Sequence, residues 1–317
     1  MTSTTPPLIH DNAPDDRFLA HHFESYEQQF DAGKLGMWIF LVTEVLFFSA
    51  LFVAYAVYRS NHPEVFVYAH QFLNTTLGAV NTVVLLCSSL TMAWAVRAAQ
   101  LNQRHVLVRC LALTLCFAGF FLGIKAVEYS TKWNEGLLWA GGFRPDLSGR
   151  ALLSPALLAL CAPAACVFLA AGCGWLLWRR RAPSGRRTVL LTATWTAVSF
   201  LFGTSAALLV MSNQHHGPHE AADSAVRVPA GDTAPDDSSG NTPPRLAGVF
   251  FSIYYAMTGV HAIHILAGMG VIGWLLLRAS RGDFSADYFG PVDYVGLYWH
   301  LVDLVWIYLF PMLYLIH

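Results

Sequence analysis

Seven separate apolar runs punctuate this 317-residue chain, near 36–58, 72–97, 106–126, 152–178, 188–211, 247–277 and 293–316. Each reaches the roughly 20 residues that a helix needs to cross a bilayer. In lipid, every backbone N–H and C=O of such a run must be satisfied within the segment, which leaves the α-helix. The alternating pattern of a membrane β-barrel is absent from these runs. The expected fold is therefore all-α, a polytopic membrane helical bundle with seven transmembrane helices. Composition agrees: 55% of residues are hydrophobic and 12% charged, and mean hydropathy is +0.46, the balance of an integral membrane protein. A net charge of −1 argues against a nucleic-acid partner.

The loops set the expected orientation. With the N-terminus inside, the cytoplasmic segments hold twelve of the 19 Lys and Arg residues and the outer segments seven. The strongest contribution is WRRRAPSGRR between the fourth and fifth spans. The positive-inside bias thus predicts a cytoplasmic N-terminus and a periplasmic C-terminus. Residues 1–35 are hydrophilic, carry Asp15, Asp16, Glu24 and Glu27 and show no signal-peptide pattern. They read as a cytoplasmic or interfacial arm with a short helix around Asp16–Phe30. Residues 213–245 are rich in Pro, Gly, Ser and Asp and read as a flexible outer loop. All six cysteines (Cys87, Cys110, Cys116, Cys161, Cys166, Cys173) lie in or beside apolar runs without CxxC spacing. They read as small buried hydrophobes rather than as a disulfide framework.

Five ionisable residues fall well inside the spans. Glu44 interrupts FLVTEVLFF in the first; His261 and His264 lie in TGVHAIHILAG of the sixth; His300 and Asp303 lie in YWHLVDLVWIYLFP of the last. At about 1.5 Å per residue, Glu44 sits roughly 12 Å from its cytoplasmic helix end, His300 about 10 Å, Asp303 about 15 Å and His264 about 20 Å. An ionisable group at such depth costs about 2.5–3.5 kcal/mol or more unless neutralised or paired. The i,i+3 spacing predicts a shared face for His261 with His264 and for His300 with Asp303. Two readings are open: a proton- or lipid-linked polar site, or interhelical hydrogen bonds that lock the bundle. Glu44 favours the first, since Gln would serve as glue at lower cost. A neutral Glu44 facing an imidazole would satisfy both groups in a dry interior.

Metal or haem is a weaker reading. His261 and His300 are the candidate axial pair, but no Glu-x-x-His pattern occurs. NQHHGPHE (His215, His216, His219, Glu220) is metal-friendly in composition but lies in the outer loop. Glu128 and Tyr129 in KAVEYSTKW follow the third span, where headgroup-level anchoring with Trp133 and Trp139 accounts for them. Gly119 and Gly123 form a GxxxG that permits close helix packing.

AHHFESYEQQFDAGKLGMWIFLVTEVLFFSALF, NTTLGAVNTVVLLCSSLTMAWAVRA, the EY after span three, TGVHAIHILAG and YWHLVDLVWIYLFPMLYL together resemble subunit III of the haem–copper oxygen reductases, the cytochrome c oxidase type. The likeness covers about two thirds of the chain. It implies a non-catalytic helical subunit without a redox centre or metal of its own. Such a subunit packs on catalytic subunit I, which holds the haems and copper, with subunit II in the same complex. The complex reduces oxygen and translocates protons. The family's role is to stabilise subunit I, sustain proton uptake and hold phospholipid in a cleft between helices, here in a bacterial plasma membrane. By motif, Glu44 matches the family's carbodiimide-reactive intramembrane carboxylate, His261 and His264 its TGxHxxH, His300 and Asp303 its WHxxD, and Glu128 with Tyr129 its EY.

The chain also departs from the family. Larger members have two further helices before the Glu-bearing span, whereas only a polar arm precedes it here, as in five-helix bacterial members. Lys125 stands where many members have glutamine. The expected organisation is an arm (1–35), three core helices (36–139), an inserted helical hairpin with its outer loop (140–245) and two last core helices (246–317). Rival readings are a subunit-III-like accessory protein of a nitric oxide reductase system, an independent proton conductor lined by Glu44, His264 and Asp303, and a membrane haem protein using His261 and His300.

Overall fold

The computed structural model describes residues 19–134, 137, 184–214 and 246–316. The predicted span at 152–178, most of the outer loop with its histidines, Trp139 and Cys161, Cys166 and Cys173 lie outside the described residues. Every regular element among the described residues is helical: α1 (Tyr26–Asn61), α2 (Pro63–Ala69), α3 (Thr75–Gln100), α4 (Arg104–Asn134), α5 (Ser184–Gln214), α6 (Ala247–Arg281) and α7 (Gly290–Tyr314). All but α2 are long and apolar enough to cross a membrane, six in number.

Local chemistry sets the helix ends. Ser25 caps α1, its Oγ accepting from Gln28 N at 3.2 Å, and α1 then runs unbroken into the first span. The arm's helical part is thus the first turns of α1; residues 19–25 are non-helical, which corrects the separate helix expected around Asp16–Phe30. Asn74 caps α3 by accepting from Leu77 N at 3.1 Å. Pro63 and Pro291 occupy first-turn positions of α2 and α7, where a missing N–H is harmless. Gly282 ends α6 in the left-handed region, at φ +88°, a conformation that costs glycine little. Arg104 closes over that turn, donating to the carbonyls of Ala279 and Ser280.

Side-chain contacts give the direction of each helix. α3 is antiparallel to α7, since Ser89 meets His300 and Thr82 meets Trp306. α4 is antiparallel to α6, since Phe121 meets His261 and Tyr129 meets Thr258. α1 is parallel to α7, with Phe40 against Tyr298 and Phe52 against Tyr308. α4 and α5 are parallel, with Gly119 at Thr196 and Thr131 at Met211.

Four helices, α3, α4, α6 and α7, enclose the core. Trp299, Trp306, Phe121, Tyr254 and Leu111 are fully buried there. α1 is peripheral: only Leu41, Phe48 and Tyr55 are buried along it. Their seven-residue spacing is a single narrow seam of the kind that coiled coils use. α5 flanks α4 on glycine. A Cβ at Gly119 would stand 2.7 Å from the Thr196 carbonyl, and Cβ atoms at Gly123 and Gly203 would collide with the carbonyls of Phe200 and Phe120. The predicted role of GxxxG is met here, backbone against backbone.

Candidate functional site

Glu44 and His264 meet across α1 and α6. Glu44 Oε2 lies 2.9 Å from His264 Nε2, and each side chain is 18% exposed. The other imidazole nitrogen, Nδ1, is 2.9 Å from the Val260 carbonyl one turn back. A carbonyl only accepts, so Nδ1 must carry a proton. The Nε2···Oε2 bond then needs one more, on the carboxyl or on the ring. The pair is neutral overall in either case, which is what a low-dielectric setting favours. Phe48 packs on the imidazole with ring centroids 5.1 Å apart, and Tyr298 donates to the His264 carbonyl at 3.0 Å.

His300 and Asp303 bind a different helix. His300 Nδ1 lies 2.6 Å from Ser89 Oγ, and Asp303 Oδ2 accepts from Ser88 Oγ at 3.3 Å. Trp299 Nε1 also donates to Ser88 Oγ, at 3.1 Å. Asp303 is 3% exposed, and its Oδ1 has no hydrogen-bond partner among the described residues.

His261 departs from the expected face. Three residues make 300° of helix, so its ring points about 60° away from that of His264. It lodges between Phe121 and Trp306, at centroid distances of 5.7 and 5.3 Å. It is fully buried, and neither ring nitrogen has a hydrogen-bond partner among the described residues. The five intramembrane residues therefore divide into three separate settings rather than one constellation. No three His, Cys, Asp or Glu side chains converge as a metal-ligand group among the described residues.

Glu128 is the centre of a fourth setting. The expectation of headgroup-level anchoring does not hold for it: Glu128 is 1% exposed, Lys125 4% and Lys132 3%. Trp133, at 57% exposed, does stand at the surface. Glu128 Oε2 accepts from Lys125 Nζ at 2.9 Å, while Oε1 accepts from Lys132 Nζ at 3.2 Å, Tyr254 OH at 3.0 Å and Tyr314 OH at 2.6 Å. These donors come from α4, α6 and α7, so one carboxylate ties three helices together. The Lys125 ammonium also faces the rings of Trp306, Tyr314, Tyr254 and Tyr129, 4.7–5.7 Å from their centroids, which offsets part of its desolvation. Tyr129 OH lies 2.5 Å from Thr258 Oγ1. The sequence carried a signal for this cluster: Lys125, Glu128 and Lys132, at i, i+3 and i+7, share one helix face.

Comparison with known proteins matches these segments. The family Cytochrome c oxidase subunit III matches residues 9–133 and 245–317. The chain is 36% identical over 70 residues to a probable cytochrome c oxidase subunit 3 of Rickettsia felis, covering 22% of this chain and 25% of that protein. It is 38% identical over 69 residues to the cytochrome c oxidase subunit 3 of Thermostichus vulcanus, 22% of this chain and 34% of the relative. A heme-copper oxidase subunit I+III of Aeropyrum pernix is 35% identical over 71 residues, 22% of this chain and 9% of that fusion. The matched stretch thus spans about a quarter of the length of the Rickettsia relative. With both blocks of the family pattern present and folded into one helical bundle, the chain belongs to the cytochrome c oxidase subunit III family.

Proposed function

We propose that this chain is the non-catalytic subunit III of a haem–copper terminal oxidase. It packs on and stabilises catalytic subunit I, with subunit II in the same complex, and supports proton uptake in aerobic electron transport. Haem and copper belong to the catalytic partner. The observation that carries the reading is the Glu44–His264 bond, a neutral, proton-sharing pair inside the family-matched helices α1 and α6. The fusion of subunits I and III in the Aeropyrum relative is consistent with an intimate contact between the two. In this reading the intramembrane site comprises Glu44, His261, His264, His300 and Asp303, with Glu128 and Tyr129 as the family's outer-face motif.

The proposed topology has seven spans in a bacterial plasma membrane, N-terminus cytoplasmic and C-terminus periplasmic. Two findings support it. α4 and α5 are parallel, the arrangement expected with one further span, the proposed 152–178, between them. Lys34, Arg97, Arg104, Arg109, Arg187, Arg278 and Arg281 lie toward the face where α1 starts, against Arg59, Lys125 and Lys132 toward the other, in keeping with positive-inside. The gap in the family match, residues 134–244, supports reading 140–245 as an insertion in the core.

The test is purification of the tagged chain in mild detergent, with a reduced-minus-oxidised spectrum and peptide identification of what accompanies it. A haem a signal with a copper-binding subunit is expected. A haem b reductase as partner, or a colourless chain alone, would overturn the assignment.

A further inference from the structure

α4 and α5 touch backbone to backbone at Gly119, Gly123 and Gly203, and a groove of about 840 Å³ runs beside that seam. Val84, Val108, Leu113, Phe117, Trp195 and Phe202 make its walls, and no acidic side chain lines it. Its volume is in the roughly 300–1,000 Å³ range of small-molecule sites. Along α5 it extends from Thr188 to Phe202, about 21 Å by helical rise. That is about the depth of one leaflet with its headgroups, half of the roughly 40–45 Å bilayer. α5 lies outside the family-matched residues, so one wall of this groove is supplied by a helix that the family pattern does not include.

The charges gather at one end. Arg109 lines the groove at the arginine-rich face of the bundle, opposite Thr188. Arg187 precedes Thr188, and its Nε is enclosed without a hydrogen-bond partner among the described residues. The N-terminus of α5, at Ser184, is at the same end, where the helix dipole favours an anion. An apolar channel one leaflet deep, with Arg109 in its wall and Arg187 one residue before Thr188 at the same end, fits a single kind of occupant. We propose that the groove binds an anionic glycerophospholipid from the leaflet at the arginine-rich face. One acyl chain lies along Phe117, Trp195 and Phe202, and the phosphate pairs with Arg109 and Arg187. The insertion thereby gives this chain a lipid seat of its own. Arg fits that role through its planar, multi-donor fork.

The experiment uses the full chain purified with its associated subunits and placed in phosphatidylcholine vesicles. The vesicles carry traces of phosphatidylglycerol, or of phosphatidylcholine, with a photoreactive diazirine in one acyl chain. After irradiation, the phosphatidylglycerol probe is expected to label peptides covering Leu113–Phe120 and Leu191–Phe202 more strongly than the phosphatidylcholine probe. Arg109→Gln and Arg187→Gln should each lower that labelling about fivefold, with labelling of α1 unchanged. Ala112→Trp, which fills the groove with both arginines intact, should abolish it. Equal labelling by the two probes would reduce the groove to bulk-lipid contact and overturn the proposal. An unlabelled groove beside a labelled α1 would overturn it too, by showing that protein fills the space.

Discussion

Two carboxylates of this molecule solve the problem of a charge in lipid in opposite ways. Glu44 shares one proton with His264, whose Nδ1 is committed to the Val260 carbonyl. Glu44→Gln can still donate an N–H to Nε2, so its melting temperature should match the native chain, while carbodiimide labelling at that position is lost. Glu44→Leu strands Nε2 and should cost about 1–3 kcal/mol, read as a lowered thermal midpoint in detergent. A large loss in Glu44→Gln would instead mean that the pair is ionic. Glu128 is fixed by two ammonium groups and two phenols. Glu128→Gln leaves both lysines buried without a counter-charge and should cost about 3–5 kcal/mol. Lys125→Gln keeps the Glu128–Lys132 pair and should cost clearly less in the same melt. The first site was legible in the sequence because depth and residue type suffice to pair a glutamate with an imidazole. The second was legible only in part: Lys125, Glu128 and Lys132 share a face, but Tyr254 and Tyr314 arrive from other helices, and spacing along α4 cannot say that its end is covered.

Among the elements, the α4–α5 pair makes the sharpest claim. A side chain at Gly123 must displace the Phe200 carbonyl, which is backbone and cannot swing away. Gly123→Val should therefore separate the helices at a cost of about 1–3 kcal/mol. With Cys at positions 131 and 211, where the native side chains touch at 3.8 Å, a short bis-thiol reagent should cross-link the otherwise native chain and fail in the Gly123→Val background. Cross-linking of position 131 to the opposite end of α5 would refute the parallel arrangement. Apolar length revealed each of these helices, since lipid leaves no other conformation open to such runs. Neighbours were less legible: GxxxG announces a close approach without naming the partner. The i,i+3 histidines were read as one face, yet a 60° divergence suffices to place them against different helices.

For the whole molecule, the one-sided distribution of Lys34, Arg97, Arg104, Arg109, Arg187, Arg278 and Arg281 predicts a cysteine-accessibility pattern. Thiols introduced at Asn102 or Asp283, in the turns after α3 and α6, should react only with membrane-permeant reagents in intact cells. One at His62, after α1, should react with impermeant ones. The opposite pattern would invert the orientation. α1 adds a constraint in time. It clings to the bundle by a seam of three buried residues, and its glutamate waits for a histidine 220 residues further along the chain. At about 5–20 residues per second of synthesis, that imidazole emerges roughly 10–40 s after Glu44. For that interval the nascent first helix carries an acid whose imidazole partner has yet to be made, so the contact between α1 and α6 at this bond forms late in synthesis.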